Sequence, residues 1–569
     1  MFELSEQKKK LLTTDGHLLI KGGPGSGKTT IALLKAKEDI LSSKLKEGQQ
    51  ILFLSFARAT ISRVEEQLKD MTFNNDIKKH ININTYHSFT WSILKTHGYL
   101  IGKHKSLKLL LPHNASALFA NIDKVDHYNK MKEMFIVKGI VHFDLFAELS
   151  YNLLSKSNSI CNLLCDKYPI IILDEFQDTN SSEWGFIQQL SKKSTIIVLA
   201  DPEQRIYDFR GATPERVDEF EKHVSPTVFD FMSENNRSAG TDIAQYGNDL
   251  LNSKNKEKSY NNVIIYKYPL RKGYPHLMLK SAILKSISRL KKDKNDWSLA
   301  ILVSSNKLMS SVSGALSTEY EFTDRRLPKI SHDVAIDKSA LALSAVFIST
   351  LLDANSSLND VFIHLNNYIR GRSDKLSKTD NNLSEAIEEY LQTNKLRKSK
   401  ALISECISIY KRCTAATLTG NPSDDWLIVR NIITEIGNTL ILKRLYNDSL
   451  YIKLLHKGSV LQEGLSETWR KYGNYNGALG IVQNALLQEH FSLGIKKMTG
   501  VQLMTIHKSK GKEFDEVILY EDAFSGKFIR NENDPKVVKK SLYMLRVGVT
   551  RAMKNTTILI PQKDGCSLL

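Results

Sequence analysis

Apolar runs alternate with helical stretches along the first part of the chain. Short runs rich in β-branched residues and leucine stand at residues 17–21 (HLLIK), 51–55 (ILFLS), 170–173 (IIIL) and 195–200 (TIIVLA). Runs of this length, bounded by turn residues, are typical of strands that are covered on both faces in a parallel sheet. Because helical periodicity follows these runs, the pattern predicts an α/β layer fold.

A second set of strand candidates lies further along the chain, and long helical segments interrupt both sets. The candidates are residues 262–268 (NVIIYKY), 299–303 (LAILV), 501–506 (VQLMTI), 516–520 (EVILY) and 556–560 (TTILI). We therefore predict an α/β protein with two parallel-sheet cores, each with a helical insertion subdomain. We expect the first insertion to contain no strands. The predicted boundaries are 1–98 and 166–230 for the first core, 99–165 for its insertion, 231–336 and 496–569 for the second core, and 337–495 for its insertion.

The composition narrows the class of protein. The chain has 569 residues, of which 41% are hydrophobic and 25% charged, as in ordinary globular proteins. No apolar run approaches the roughly 18 residues of a membrane helix, and the charged N-terminal segment is unlike a signal peptide. Five scattered cysteines do not suit a disulfide scaffold. We expect a cytoplasmic, reduced protein that has no membrane partner.

The charge balance gives a first indication of a partner. Lys+Arg 79 against Asp+Glu 62 gives a formal net charge of +17. Such a surplus favours polyanions, with nucleic acid as the first candidate. The basic residues are dispersed, however, so charge alone fits a merely soluble basic protein equally well.

Residues 22–30 (GGPGSGKTT) fit the pattern G-x-x-x-x-G-K-[ST] between a strand candidate and a helical segment. In such a loop the backbone N–H groups point at phosphate oxygens. Lys28 would neutralise the β- and γ-phosphates, and the Thr29 hydroxyl would bind Mg²⁺. The predicted nucleotide-binding residues of this loop are Gly22, Gly23, Pro24, Gly25, Ser26, Gly27, Lys28, Thr29 and Thr30.

A second acidic string, residues 174–178 (DEFQD), directly follows a strand candidate. Its acids therefore emerge at the carboxyl end of a strand. Asp174 is placed to hold Mg²⁺, and Glu175 to orient or deprotonate an attacking water. Together with the phosphate loop, this string predicts a nucleoside triphosphatase.

These two strings and several others in fixed order resemble the UvrD/Rep/PcrA-type superfamily 1 helicases, whose cores are RecA-like. ADPEQRIYDFRGA, at residues 200–212, is the most specific match. The other matching strings are LSEQ (4–7), FLSFARAT (53–60), TYHSF (85–89), ENNRSAGTDIA (234–244), VQLMTIHKSKGKEFDEVIL (501–519) and VGVTRA (547–552).

The resemblance implies a role for each matching residue of the nucleotide site. Gln7 would read the adenine edge, Gln204 would sense the γ-phosphate or its attacking water, and Glu513 would bind the ribose. Arg237 and Arg551 would be arginine fingers supplied by the second core. Because phosphoryl transfer needs charge stabilisation more than covalent help, such arginines would make hydrolysis depend on closure of the cleft.

The resemblance also implies a channel for single-stranded DNA, whose bases stack on aromatic rings without sequence readout. For Phe56, a place in the core is the alternative. The implied DNA-binding residues are Phe56, Tyr207, Phe209 and Arg210 along the channel, with His87 and His507 near the backbone.

Three departures from the family pattern stand out. Asn236 occupies the position at which the family usually has an adenine-stacking tyrosine, and Lys512 replaces a leucine. KKSLYMLR, at residues 539–546, stands in place of the usual acidic residues. Because Asn236 lacks the ring of that tyrosine, we expect weak ATP binding with a retained preference for ATP over pyrimidine nucleotides. The alternative is that another side chain, Phe2 or Tyr246, covers the adenine.

The resemblance implies an ATP- and Mg²⁺-dependent motor that translocates on single-stranded DNA, 3′ to 5′, and separates duplex. Its partners would be single-stranded and tailed duplex DNA. One alternative is a DNA-sensing ATPase subunit that regulates a separate nuclease, for example in an antiphage defence complex. A separate repair protein as partner and an RNA-directed motor are further alternatives.

Overall fold

The computed structural model divides the chain into two compact units. One unit comprises Met1–Ile93, Ala147–Ile336 and Leu493–Leu569, and the other comprises Leu94–Phe146 and Asp337–Ser492. The residues that the structure describes are 5–56, 58–70, 75–120, 122–204, 213, 215–231, 237–271, 273–322, 325–335, 338–372, 376–450, 460–491, 498–529 and 531–569.

The first sheet has six parallel strands in the order β3-β2-β6-β7-β1-β8. The strands β2 and β6 are fully buried, because both faces of these apolar runs are covered. The strands are β1 (Leu18–Gly22), β2 (Ile51–Ser55), β3 (Ile81–Thr85), β6 (Ile170–Leu173), β7 (Thr195–Ala200) and β8 (Thr227–Phe231).

The described residues of this part of the chain form nine α-helices, of which α5 and α8 extend past the boundary between the two units. Between the strands they supply the crossovers that a parallel sheet requires. They are α1 (Glu6–Thr13), α2 (Lys28–Leu41), α3 (Arg58–Asp70), α4 (Asn75–Lys79), α5 (Tyr86–His97), α8 (Phe146–Lys156), α9 (Asn158–Lys167), α10 (Ser181–Ser191) and α11 (Arg216–Val224).

The second sheet also has six parallel strands, in the order β13-β14-β10-β15-β16-β9. Between β10 and β13 in sequence, β11 (Tyr320–Phe322) and β12 (Arg325–Leu327) form a separate antiparallel pair. The strands of the sheet are β9 (Val263–Tyr268), β10 (Ser298–Val303), β13 (Asp333–Val334), β14 (Gly500–Thr505), β15 (Phe514–Tyr520) and β16 (Ala552–Pro561).

Alternate side chains of the second sheet enter two different hydrophobic clusters. In β10, Ala300 and Leu302 face one cluster, whereas Leu299, Ile301 and Val303 face the other. This period of two places helices on both faces and explains why the strand reads as a continuous apolar run. The helices of this part are α12 (Ile243–Leu251), α13 (Tyr274–Asp293), α14 (Asn306–Ser317), α23 (Ile506–Ser509) and α24 (Pro535–Val549).

The second compact unit is mainly helical, and its core includes Trp426, Tyr368 and Tyr475. Among the described residues from 338 to 491, the structure contains helices and no strands. Its helices are α6 (Pro112–Phe119), α7 (Lys124–Lys138), α15 (Lys338–Leu352), α16 (Leu358–Gly371), α17 (Lys378–Thr393), α18 (Lys400–Thr414), α19 (Pro422–Ile436), α20 (Leu440–Ser449), α21 (Val460–Tyr472) and α22 (Ala478–Phe491).

The expectation of a strand-free first insertion is wrong. The strands β4 (Lys108–Leu110) and β5 (Ile140–His142) pair in parallel, with Leu109 opposite Val141. Each strand has three residues, which is too short for a period-two pattern to be distinguished from the surrounding helical pattern. The pairing of β4 with β5 requires that the helices between them bring the chain back beside β4, and this depends on tertiary packing.

The structure confirms the predicted α/β class with two parallel sheets. It places both sheets in one compact unit, and it places residues 147–165, which we assigned to the first insertion, in that same unit. The predicted boundaries of the four domains stay a prediction. All five cysteines are buried free thiols. Within the described residues, no helix combines the length and the apolar character needed to cross a membrane.

Candidate functional site

The phosphate loop connects β1 to the first turn of α2, as its sequence pattern predicts. Gly27 precedes the helix with φ +84°, a left-handed conformation that side chains with a Cβ disfavour. At Gly22 a Cβ would lie 2.4 Å from Ser26 Oγ and 3.0 Å from Lys28 Cγ. These glycines therefore let the backbone turn tightly around the Lys28 side chain. The first N–H groups of α2 are left facing the loop, where they suit an anion.

Lys28 Nζ lies inside this loop. It donates to the carbonyl oxygens of Gly22 at 2.6 Å and Gly23 at 3.1 Å. Burial lowers the pKa of Lys28, and the negative charges of Asp201, Glu175 and Asp174 oppose this effect. The buried ammonium is thus compensated by carboxylates on the neighbouring strands, an arrangement that suits exchange for phosphate oxygens.

A cavity of about 480 Å³ opens in front of the loop. Its wall combines segments that are far apart in sequence, including residues from both halves of the sheet-containing unit. The lining residues are Lys8, residues 24–31, Leu34, Thr60, Arg63, Gln67, Asp174, Glu175, Arg237, Gly511, Glu513 and Arg551.

Gln7 does not line this cavity. Its side chain is exposed on α1, whereas the next residue, Lys8, is buried and lines the cavity. The ammonium of Lys8 lies 5.4 Å from the centre of the Phe231 ring. The structure therefore brings the neighbour of the predicted adenine-reading residue to the cavity.

The two acidic residues after β6 have different surroundings. Asp174 accepts a hydrogen bond from the Ser55 hydroxyl at 3.1 Å, and its backbone N–H donates to the Leu54 carbonyl. Burial and the negative charge of Glu175 raise the pKa of Asp174. Asp174 is consequently the member of the pair that gains most from a nearby cation.

Glu175 is held in its ionised form. Burial alone would raise its pKa, but the positive charges of Lys510, Lys28 and Arg551 outweigh burial and lower the pKa. Gln177 Nε2 donates to Glu175 Oε2 at 2.6 Å, and Lys510 Nζ lies 3.4 Å from the same oxygen. An ionised, oriented carboxylate can accept a proton from water.

Two arginines from the second half of the unit line the same cavity. Arg237 donates through Nε to Glu513 Oε1 at 2.6 Å and through Nη1 to the Thr550 carbonyl at 3.0 Å. Arg551 is 2% exposed, and its Nε donates to the Val547 carbonyl at 3.0 Å. Burial, and to a smaller extent the positive charge of Arg237, lowers the pKa of Arg551 to about 9. The guanidinium of Arg551 therefore stays charged at neutral pH.

Glu513 joins three parts of the cavity. Its Oε1 accepts from Arg237 Nε and forms an ion pair with Arg63 Nη1, which lies 2.9 Å away. Burial would raise the pKa of Glu513, but Arg237 and Arg63 lower it to about 2. The predicted ribose ligand is therefore a permanently ionised carboxylate between two arginines.

Sequence reasoning missed Arg63 and Gln67, which lie one turn apart on α3. Arg63 Nη2 donates to the Gly511 carbonyl at 3.0 Å, and Gln67 Nε2 donates to Thr30 Oγ1 at 3.2 Å. The only available signal was helical spacing, because residues 60, 63 and 67 share one face of the helix that follows β2. Lys510 was missed as well, although it lies within a matching string.

A metal ion at this site would need ligands beyond the protein. The described residues contain no group of three or more His, Cys, Asp and Glu side chains that could hold a metal. Thr29 and Asp174 are the predicted pair, and both line the cavity. Their oxygens suit Mg²⁺, which usually keeps several waters and takes further ligands from substrate phosphates.

The three predicted DNA-binding residues that the structure describes, Phe56, His87 and His507, lie just after the carboxyl ends of strands and do not line the cavity. Phe56 comes directly after β2, and its ring stacks on Tyr86, with centroids 4.2 Å apart and planes 12° apart. His87 lies in the first turn of α5, which follows the neighbouring strand β3, and His507 lies in α23 after β14. Burial, with the charges of Lys540 and Lys510, lowers the pKa of His507.

Several predicted positions lie outside the described residues. Gln204 is the last residue of the short turn Pro202–Gln204, and the structure describes its backbone but not its side chain. The remaining positions outside the described residues are Tyr207, Phe209, Arg210 and Asn236.

Comparisons with known proteins agree with this geometry. Residues 4–135 and 122–225 match the UvrD/REP helicase N-terminal domain, and residues 352–563 match the UvrD-like helicase C-terminal domain. The chain is 23% identical over 634 residues to a probable DNA helicase II homolog of Rickettsia conorii, covering 97% of this chain and 91% of that protein.

Two further relatives have the same percentage identity to the chain, over different shares of its length. DNA helicase II of Rickettsia typhi is 23% identical over 623 residues, which is 97% of this chain and 91% of that protein. The ATP-dependent DNA helicase PcrA of Staphylococcus aureus is 23% identical over 298 residues, which is 45% of this chain and 40% of PcrA. Given these matches and the cavity described above, the chain belongs to the UvrD-like family of ATP-dependent DNA helicases.

Proposed function

We propose that this chain hydrolyses ATP with Mg²⁺ to translocate along single-stranded DNA, 3′ to 5′, and to separate duplex ahead of it. One observation carries the proposal: a single cavity contains Lys28 and Glu175 together with Arg237 and Arg551. Phosphoryl transfer requires a phosphate cradle, an oriented water and positive charge on the transferring group. The four side chains match these requirements.

Each residue then has a distinct role. Lys28 leaves the carbonyls of its loop to neutralise the phosphates, and Glu175 orients or deprotonates the attacking water. Arg237 and Arg551 stabilise charge that develops in the transition state. Gln204 senses the γ-phosphate.

Glu513 contacts the ribose of the nucleoside once ATP displaces one of its arginines. Gln7 is exposed beside the cavity residue Lys8, so it reads the adenine edge only if α1 turns the Gln7 side chain toward the cavity.

The residues also fit a magnesium ion. Asp174 is a buried carboxylate whose ionised form needs a compensating cation, and Thr29 supplies a hydroxyl to the same cavity. When bound, the ion neutralises phosphate charge and polarises the transferring group. The chain's own contribution is to orient these two oxygens at the end of the phosphate loop.

We propose that the strand-binding residues are Phe56, Tyr207, Phe209 and Arg210, with His87 and His507 near the backbone. Phe56 already stacks on Tyr86, so a base would extend an existing aromatic pair. The formal net charge of +17 favours binding to a polyanion such as DNA.

The deciding experiment is strand displacement by the isolated chain with ATP and Mg²⁺ on duplexes that carry a 3′ or a 5′ single-stranded tail. We expect displacement of the 3′-tailed duplex only, and none by the Glu175→Gln variant. Displacement of the 5′-tailed duplex would reverse the direction. DNA-stimulated hydrolysis without displacement on either substrate would favour the nuclease-regulating subunit instead.

A further inference from the structure

The loop between β15 and α24 presents an aromatic ring to solvent. Phe524 is 85% exposed, which makes it one of the two most exposed large hydrophobic side chains among the described residues. A single exposed apolar residue is common and does not by itself indicate a site. The local structure around this ring is what distinguishes it.

Hydrogen bonds hold the loop in one conformation. Asp522 Oδ1 accepts from the backbone N–H of Phe524 at 3.0 Å, the N–H of Ser525 at 2.8 Å and the Ser525 hydroxyl at 2.6 Å. The Ser525 carbonyl accepts from the Ser305 hydroxyl at 3.0 Å. A Cβ at Gly526 would lie 2.5 Å from Leu308 Cδ2, so the loop packs closely on α14. The backbone that carries the ring is therefore preorganised, which lowers the entropic cost of binding.

A polar groove lies beside the ring. It has a volume of about 300 Å³ and is lined by Ser304, Ser305 and residues 523–527. This lining includes serine hydroxyls and the ammonium of Lys527, and these described residues include no acidic side chain. An apolar ring next to hydroxyls and a cation matches a nucleotide, which joins a flat base to a phosphate.

The groove also lies on the sheet edge that carries a predicted DNA contact. Ser304 follows β10, and the Phe524 loop follows β15, the strand beside it in the second sheet. On the other side of β10, β14 is followed by His507. All three strands are parallel, so their carboxyl ends meet at one edge. Two strand spacings of about 4.8 Å separate the outer two of these strand ends.

We propose that Phe524 is a base-stacking platform for single-stranded DNA and that the adjoining groove takes the phosphate of the same strand. This inference rests on the proposed function, because it extends the proposed DNA-binding surface from His507 across the edge of the second sheet to Phe524. A free strand is the occupant that fits, since stacking on one ring and contact with one phosphate require an unpaired base. No motif of the sequence analysis included this residue.

The test measures binding of the full chain to a fluorescein-labelled oligothymidylate by anisotropy. Phe524→Ala should raise the Kd by about 5- to 100-fold, because stacking contributes about 1–3 kcal/mol per base and 1.4 kcal/mol is tenfold. Phe524→Tyr keeps the ring and should bind within about 2-fold of the unmodified chain. The matched control is Tyr266→Ala, which removes a 39% exposed ring on β9 at the far edge of the same sheet and should leave the Kd unchanged.

A second readout reports stacking itself. An oligonucleotide that contains 2-aminopurine should lose fluorescence on binding to the unmodified chain and to Phe524→Tyr, and lose less on binding to Phe524→Ala at saturation. Thermal unfolding midpoints of all variants check that the loop change leaves the fold intact.

The outcomes separate this inference from the proposed function. If the unmodified chain binds no oligothymidylate, the proposed function fails and this inference fails with it. If the chain binds and Phe524→Ala binds equally well, only the stacking inference is overturned. Equal weakening by Phe524→Ala and Phe524→Tyr would also overturn it, since the ring would then not be what the strand contacts.

Discussion

At the scale of single residues, the backbone at Glu175 is unusual. Its φ of +54° is left-handed, a conformation that non-glycine residues adopt rarely and at a cost. The turn is held by Gln177, which donates to Glu175 and accepts from the N–H of Asp201 at 3.0 Å. Such strain at an ionised carboxylate beside the phosphate loop is the local feature that most strongly indicates catalysis.

We predict that Glu175→Gln lowers ATP hydrolysis by at least about 100-fold while ATP still binds. The amide keeps the size of the side chain but cannot accept a proton from water. Steady-state hydrolysis and equilibrium binding of a fluorescent ATP analogue would measure the two effects. Glu257→Gln, at an exposed carboxylate, serves as the control. Near-normal turnover by Glu175→Gln would remove this residue from the chemistry.

The two arginines should behave differently from Lys28. We predict that Arg237→Ala and Arg551→Ala each lower kcat on the order of 10³-fold, with a smaller change in KM, because they act on transition-state charge. Lys28→Ala should weaken binding and hydrolysis together. Arg326→Ala, at an exposed ion pair, is the control. An increase in KM with intact kcat would contradict the role of either arginine.

At the scale of elements, α6 and α16 pack closely in the helical unit. A Cβ at Gly371, the last residue of α16, would lie 3.0 Å from the Ala117 backbone N and 3.2 Å from the His113 carbonyl. His113 is 4% exposed, and its buried Nε2 has no hydrogen-bond partner among the residues that the structure describes. Burial, and to a smaller extent the charge of His364, lowers the pKa of His113 to about 4. The packing of these helices therefore requires a neutral imidazole.

This requirement predicts that acid destabilises the helical unit. Above pH 6.5 the imidazole is neutral in both states, and stability is at its full value. Between pH 6.5 and 4 only the unfolded state takes up the proton, so the free energy of unfolding should fall by roughly 3 kcal/mol. His364, whose pKa burial also lowers, adds to the effect, whereas Asp360 opposes it.

The measurement is urea unfolding followed by circular dichroism at pH 7.5 and pH 5. His113→Gln should flatten the loss of stability between these pH values, because glutamine does not titrate. His104→Gln replaces a partly exposed imidazole and should keep the loss of stability. Identical pH profiles for His113→Gln and the unmodified chain would show that another group is responsible.

At the scale of the sheet-containing unit, buried ion pairs connect the two sheets. Lys510, after β14, contacts the Asp178 carboxylate in the turn after β6. Arg546 on α24 lies 2.9 Å from Glu203 Oε2 and 3.5 Å from Asp201 Oδ1, in the loop after β7. Each contact joins the second sheet to a loop that also borders the nucleotide cavity or the Gln204 turn.

We predict that Arg546→Met lowers the thermal unfolding midpoint markedly, because it leaves the buried Asp201 without this cation at a cost of about 3 kcal/mol. Arg546→Lys should lower the thermal unfolding midpoint less than Arg546→Met does. The control is Lys554→Met, which breaks an exposed pair with Asp293 and should cost under about 1 kcal/mol. Equal midpoints for Arg546→Met and Lys554→Met would mean that the buried bridge adds no stability.

Much of the fold is local information. The apolar runs at residues 51–55, 170–173 and 195–200 each became a strand with those bounds, because a short β-branched run covered on both faces has few other stable arrangements. The phosphate loop is also local. Its glycines allow the turn and its lysine lies within a few residues of the carbonyls that it contacts.

Tertiary structure alone decided which residues meet around that loop. Arg63 and Gly511 are 448 positions apart, yet the Arg63 side chain donates to the Gly511 carbonyl. Lys8 rather than Gln7 reached the cavity, and β4 paired with β5, because helix rotation and chain return depend on packing elsewhere. Sequence determined the strands and the phosphate loop because their hydrogen bonds and dihedral preferences are short-range. The cavity was decided by the tertiary fold because its charges are compensated only between distant segments, once the sheets have formed.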